Sequence, residues 1–341
     1  MHISYRTRHA LKVLGIVLLV LAAVGLVAYI GWFRWIERYV VYTRDGGAVL
    51  NRELDPVIQR GNPAVPPEKK PITVIYKDAE EEGQSEAKQE LTQMIGYYAD
   101  AEMLADMDLV RQQIELLEPG TPVMLDVKDG KGRFYYDSGL SQDRSAAIDP
   151  LAMDALIREL DSKGMYLIAR LPAFRDYAFG LRATDNGLFV PSGAYLWADS
   201  DYCYWLDPTK QGTISYLTSI MAELRDRGFD EVVFENFCFP NTSELKFSGD
   251  RAEAINAAAA TLVDDCADQS FAVSFIATQE GFVTPGGRSR VYYTNAVAAQ
   301  AGEIAQAAGT ENPAVNVVFL THVHDTRFND YSVLRPLDSA G

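Results

Sequence analysis

Acid–base chemistry needs carboxylates fixed where the chain is otherwise apolar, and this sequence contains several. In "EVVFENFCFP" (231 to 240), Glu235 and Asn236 interrupt a strand-like apolar run shortly before Pro240. In "PVMLDVKDG", Asp126 and Lys128 fall on one face at the end of the run, and Asp129 follows. Arg170 ends "MYLIAR", and "VVFLTHVHD" closes on His322, His324 and Asp325. If these runs are strands of one parallel sheet covered on both faces, charge inside them is costly except at the open C-terminal ends. Gathered there, the carboxylates, the arginine and the imidazoles suit chemistry at the anomeric carbon of a sugar. One carboxylic acid protonates the leaving oxygen, and a second carboxylate attacks or activates water. Plainer readings stand beside this one. Asp126 with Lys128 can be a structural ion pair braced by Arg170, and Glu235 can be purely structural. His322-x-His324-Asp325 hints at a metal, but no further ligand accompanies it, so neither a metal nor a cofactor is expected.

Positioning these residues requires regular elements, and the pattern supplies them. Expected strands cover 72–77, 94–100, 122–128, 165–171, 231–239, 271–278 and 315–323. Helical stretches lie between them at about 102–117, 150–163, 209–227, 250–267 and 296–308. Strict alternation implies right-handed βαβ units around a parallel sheet. In "DPLAMDALIRELDSKGMYLIAR", Asp149 reads as a helix N-cap, Pro150 as the first helical residue and Gly164 as the stop. Pro208 reads as a first helical residue in the same way, with Gly228 ending that helix. Five to eight such units favour a TIM (β/α)8-like barrel; a distinct eighth strand after Asp325 is not evident, which leaves a complete, an incomplete and a degenerate barrel open. No glycine-rich phosphate loop follows any strand, which argues against a dinucleotide-binding fold.

The N-terminus is of another kind. Arg6, Arg8 and Lys12 precede an uncharged run from Val13 to Phe33, long enough to cross a bilayer, and Trp32, Trp35 and Tyr39 suit an interfacial belt. The expected organisation is a cytoplasmic 1–12, a transmembrane anchor at 13–33, a hairpin segment at 34–58 and a proline-rich linker at 59–71. The barrel domain, 72–341, would lie outside the cytoplasm as part of a single-pass membrane protein. Six of the 31 Lys/Arg and two of the 47 Asp/Glu fall in residues 1–50, leaving a net charge of -20 on the remainder. Such an acidic body makes nucleic acid an unsuitable partner and favours a tethered, solvated domain. Three scattered cysteines exclude a disulfide framework. Between Phe174 and Trp205 the chain is rich in aromatic residues, among them Tyr195, Trp197, Tyr202 and Tyr204. It reads as a long loop over the barrel mouth, with Trp197 the foremost candidate for stacking on a sugar face.

Four motifs in order, "DVKDGKG" (126 to 132), "IAR" (168 to 170), "WLDP" (205 to 208) and "GFDEVVFENFCFP" (228 to 240), resemble a family of bacterial envelope proteins. These are described as "putative glycoside hydrolases", formerly a domain of unknown function, and are distantly similar to α-amylase-type barrels. The resemblance covers roughly residues 94 to 280. It implies a membrane-anchored barrel acting on, or binding, an envelope polysaccharide or oligosaccharide. It also implies Glu235 as the principal carboxylate and Asp126 or Asp207 as the second. Lys128, Asp129, Arg170, Asn236, His322 and His324 would contact substrate, with Trp197 and Trp205 as apolar walls. The family reads "FDYIRFP" where this chain has "FENFCFP", so Glu235 replaces an aspartate, Asn236 a tyrosine and Cys238 an arginine. Ile276 stands where the family's next strand carries an aspartate. The rival expectation is therefore a barrel that binds glycan without cleaving it.

Overall fold

The computed structural model describes residues 40–42, 48–50, 90–141, 143–277 and 279–339. The apolar run 13–33, the linker 59–71 and the expected strand 72–77 lie outside the described residues. Among those described, no helix is long and apolar enough to cross a membrane. Near the N-terminus, Val40–Tyr42 and Ala48–Leu50 pair antiparallel with Val41 opposite Val49, the hairpin expected there.

The remainder is a closed parallel barrel of eight strands in sequential order. They are β1 (Ile95–Ala99), β2 (Pro122–Asp126), β3 (Tyr166–Pro172), β4 (Glu231–Glu235), β5 (Ala272–Ile276), β6 (Val291–Thr294), β7 (Val317–Leu320) and β8 (Ser332–Pro336). Closure comes from β8 pairing β7 on one side and β1 on the other, Val333 lying opposite Ile95. Alternation along each strand divides the apolar residues into two sets. Met124, Ile168, Val233, Ile276, Tyr292, Val318 and Leu334 fill the interior. Val123, Leu167, Val232 and Val273 face outward onto the helices. Those helices are α1 (Met107–Ile114), α2 (Pro150–Ser162), α3 (Gln211–Asp226), α4 (Arg251–Cys266) and α5 (Ala301–Ala307).

Local sequence accounts for the helix ends. Asp149 caps α2 by accepting from the Leu151 N–H, with Pro150 first in the helix. Gly164 and Gly228, at φ 68° and 92°, turn the chain out of α2 and α3 in the left-handed region that glycine tolerates. The start of α3 differs from expectation. Asp207 accepts from both the N–H and the hydroxyl of Thr209, so "DPTK" is a turn and the helix begins at Gln211.

Strict alternation also fails twice. The described residues between β5 and β6 contain no helix, and β7 reaches β8 through the single 3-10 turn Thr326–Asp330. The strands missed by pattern, "VYYT" and "SVLRP", are the two that follow these helix-free connections. The aromatic stretch after β3 is more ordered than a loop. It holds the short helix Tyr177–Arg182 and antiparallel bridges such as Phe189 to Leu196 and Ala198 to Tyr204.

The N-terminal end of the barrel is sealed by a buried polar cluster. Glu231 accepts from Ser274 (2.6 Å), Tyr292 (2.8 Å) and Tyr166 (2.9 Å) and pairs with Arg290. Close contact of β1 with β2 depends on Gly96, where a Cβ would overlap the Pro122 carbonyl and lie 2.7 Å from the Pro122 Cβ. Gly96→Ala is therefore expected to destabilise the barrel by about 1–3 kcal/mol, read as a lower denaturant midpoint.

Candidate functional site

The C-terminal ends of β2, β3 and β4 assemble the site. Asp126, Arg170 and Glu235 each stand two residues beyond an interior residue, Met124, Ile168 and Val233, so strand alternation directs all three into the barrel mouth. Asp126 lies opposite Arg170 in the β2–β3 register, and Pro172 lies opposite Glu235 in the β3–β4 register. The Arg170 Nε donates to Asp126 Oδ1 at 2.5 Å, while Asp126 Oδ2 accepts from the Ala101 N–H at 3.0 Å. Arg170 also lies over the Tyr98 ring, 5.8 Å from its centre. Both oxygens of Asp126 are thus engaged, and Arg170 is fixed by two neighbours.

Glu235 is the last residue of β4, and Asn236 follows in a left-handed conformation at φ 49°. The strand ends there, four residues earlier than the pattern suggested, because asparagine accepts a backbone geometry that breaks the ladder. Burial raises the Glu235 pKa above its ordinary value near 4.5. Arg170, Lys128 and Arg175 pull it down and Asp126 pushes it up, but burial prevails. Because the folded state favours the protonated acid, the stability this group contributes is present in full below about pH 4.5 and is lost as pH rises through the elevated folded value. Glu235→Gln is accordingly expected to be more stable than the wild type at pH 7 and equal to it at pH 4, in paired unfolding titrations.

Other expected residues are held elsewhere. Lys128 is fully buried, with Nζ 2.8 Å from Asp176 Oδ2 and donating to the Pro172 carbonyl, so its ammonium is engaged within the protein. Asp129 accepts from the Lys131 and Arg133 N–H groups and pairs with the Arg133 side chain, which shapes its own loop. Asp207 is engaged in the turn before α3, and among the described contacts none joins it to Glu235. Trp205 is buried and donates its indole N–H to Asp199. His322 and His324 are exposed on the connection after β7. Among the described residues no group of three His, Cys, Asp or Glu is placed to hold a metal ion. Trp197 is half-buried against the core; the more exposed rings of its stretch are Tyr195, at 66%, and Tyr202, at 78%.

Two contributors were not foreseen. Tyr135 is buried near the mouth, its phenol pushed upward by burial and further by Asp129, Asp126 and Glu235. The run of three aromatic residues in "GRFYYDSG", shortly after the charged end of β2, was the signal for it. Arg175 acts on Glu235 through space while binding Asp199 (2.6 Å) and Asp201 (2.7 Å). Burial would raise Asp199, but hydrogen bonds from Arg175, the Cys203 N–H and Trp205 hold its carboxyl at about 2.

A family model described as "Putative glycosyl hydrolase domain" matches residues 96–274. No curated protein matches the chain. Among solved structures, the chain is similar to a hypothetical protein from Ruminiclostridium thermocellum, at 21% identity and a TM-score of 0.46, covering 53% of this chain and 96% of that one. It is similar to the glycoside hydrolase domain of PelA from Pseudomonas aeruginosa at 15% identity and a TM-score of 0.43, covering 72% and 96%. An α-galactosidase from Lactobacillus brevis aligns at 12% identity and a TM-score of 0.49, covering 74% of this chain and 39% of that one.

Proposed function

The chain belongs to the family described as "Putative glycosyl hydrolase domain", and from that premise we propose that its barrel mouth cleaves a glycosidic bond in an envelope polysaccharide with Glu235 as the acid. The observation that carries this reading is a buried carboxylic acid with an elevated pKa at the end of β4, facing the Asp126–Arg170 pair. Burial makes Glu235 hold its proton to higher pH than an ordinary carboxylic acid, and that proton is available for the leaving oxygen. As that bond breaks, positive charge develops at the anomeric carbon, and Asp126 is the second carboxylate placed to stabilise it or to orient water. Arg170 keeps Asp126 in position and offers its remaining N–H groups to sugar hydroxyls. The apolar run 13–33 and the acidic remainder support a barrel tethered to the cell membrane and facing outward.

The second reading, glycan binding without cleavage, is favoured by one feature. Both Asp126 oxygens already accept hydrogen bonds, and the corresponding interior position of β5 is Ile276. A single experiment separates the two. Wild type and Glu235→Gln are incubated with soluble glucan, galactan, mannan and xylan, and released reducing ends are counted. Release by the wild type alone supports hydrolysis, whereas binding by both proteins with no release supports the second reading.

A further inference from the structure

Outside the mouth, the segment between β3 and α3 forms a groove of about 750 Å³. Its lining includes Tyr195, Trp197, Tyr202 and Tyr204, and none of Glu235, Asp126 or Arg170. Tyr202 is unusual in two respects. Its ring is 78% exposed, and its backbone sits at φ 59°, in the left-handed region where a bulky side chain is strained. A strained residue that presents a large ring to water gains nothing for the core, which points to a ligand. Tyr195, which also lines the groove, is likewise mostly exposed. Tyr204, by contrast, is stacked on Tyr177 with ring centres 5.3 Å apart, and Gly180 makes room for it.

The polar groups define the occupant further. The lining includes two carboxylates, Asp199 and Glu244, and no lysine or arginine. Asp199 is neutralised by Arg175, whose guanidinium is shared with Asp201, and Lys246 packs along Gly193 beyond the lining. Such a surface offers stacking faces and hydroxyl acceptors but no counter-charge for an acidic sugar. The groove is linked to the proposed site through the chain. Glu244 belongs to the loop that leaves β4 after Glu235, and the Lys246 N–H ties that loop to the Phe189 carbonyl at 2.7 Å.

We propose that this groove binds a stretch of neutral polysaccharide through the Tyr195 and Tyr202 rings, holding the chain beside the barrel mouth. The inference rests on the proposed function only for the course of the chain toward Glu235. The test is electrophoresis of the full chain through gels containing soluble glucan, galactan, mannan, xylan or polygalacturonate. Migration is expected to slow in at least one neutral polymer and to be unchanged in polygalacturonate. Tyr195→Ala and Tyr202→Gly should each weaken that retardation about tenfold, and Glu235→Gln should leave it unchanged. Tyr202→Gly separates binding from folding, since glycine relieves the left-handed strain and its melting temperature should equal or exceed that of the wild type. The proposal is overturned if no neutral polymer retards the protein, if polygalacturonate is the polymer bound, or if the tyrosine variants migrate like the wild type. It is likewise overturned if the two tyrosines instead support self-association of the chain, measured by sedimentation. Hydrolysis that persists without retardation removes the groove alone, and retardation without hydrolysis removes the proposed activity alone.

Discussion

Glu235→Gln is expected to slow glycan hydrolysis by about 100- to 10,000-fold, the range associated with loss of a positioned proton donor. The amide keeps the size and most of the hydrogen-bonding capacity of the acid but has no acidic proton for the leaving oxygen. The substitution leaves the barrel intact, because Glu235 is a terminal strand residue whose ionised form is disfavoured by burial, a cost the neutral amide does not carry. The loss should therefore fall on turnover, with KM little changed. Glu235→Asp should recover part of the rate, since it restores the acid about 1.3–1.5 Å farther back, and a displacement of that order can cost about a hundredfold.

A comparably large effect, on stability, is expected from Lys128→Met. The Lys128–Asp176 pair has no exposure to water on either side chain, and Asp176 is held further by the Tyr216 hydroxyl (2.9 Å) and the Phe179 N–H (2.8 Å). Removing the ammonium leaves a buried carboxylate without its counter-charge, which typically costs about 3–5 kcal/mol. In Lys128→Met/Asp176→Asn, the asparagine oxygen can still cap the helix at Tyr177–Arg182, and most of the loss should be recovered. Chemical denaturation of the two variants checks this, and a single variant within about 1 kcal/mol of the wild type would show that the pair is not acting as a buried ion pair. Because Lys128 also binds the carbonyl of Pro172, the residue opposite Glu235, the single variant should lose activity as well.

The barrel was legible in the sequence where elements are long or well punctuated. The strands ending at Asp126, Arg170 and Glu235 are apolar runs broken by charge, and α2 carries both its cap and its stop. The strands at Val291 and Ser332 were not legible, because each is short and neither follows a helix. The inward convergence of Asp126, Arg170 and Glu235 follows from period-two alternation, which sequence carries directly. The fate of Lys128 does not, because its partner Asp176 lies 48 positions away on the far side of β3. Likewise the family-type aspartates could be compared only as letters, whereas the engagement of both Asp126 oxygens is a property of the folded chain. Among the aromatic residues, composition singled out Trp197 but could not rank the rings by exposure. Trp197 packs against the core, while the exposed faces belong to Tyr195 and Tyr202.

The most direct test of Glu235 as the acid at the barrel mouth is the pH dependence of reducing-end release by the wild type, with Glu235→Gln alongside. An acid must be protonated to act, and burial raises this one above 4.5. Wild-type release should therefore fall as pH rises through that elevated value, above the ordinary carboxylate range, and Glu235→Gln should show neither the rate nor the fall. Release by Glu235→Gln at the wild-type rate, or a wild-type rate that climbs through the same range, would contradict the assignment.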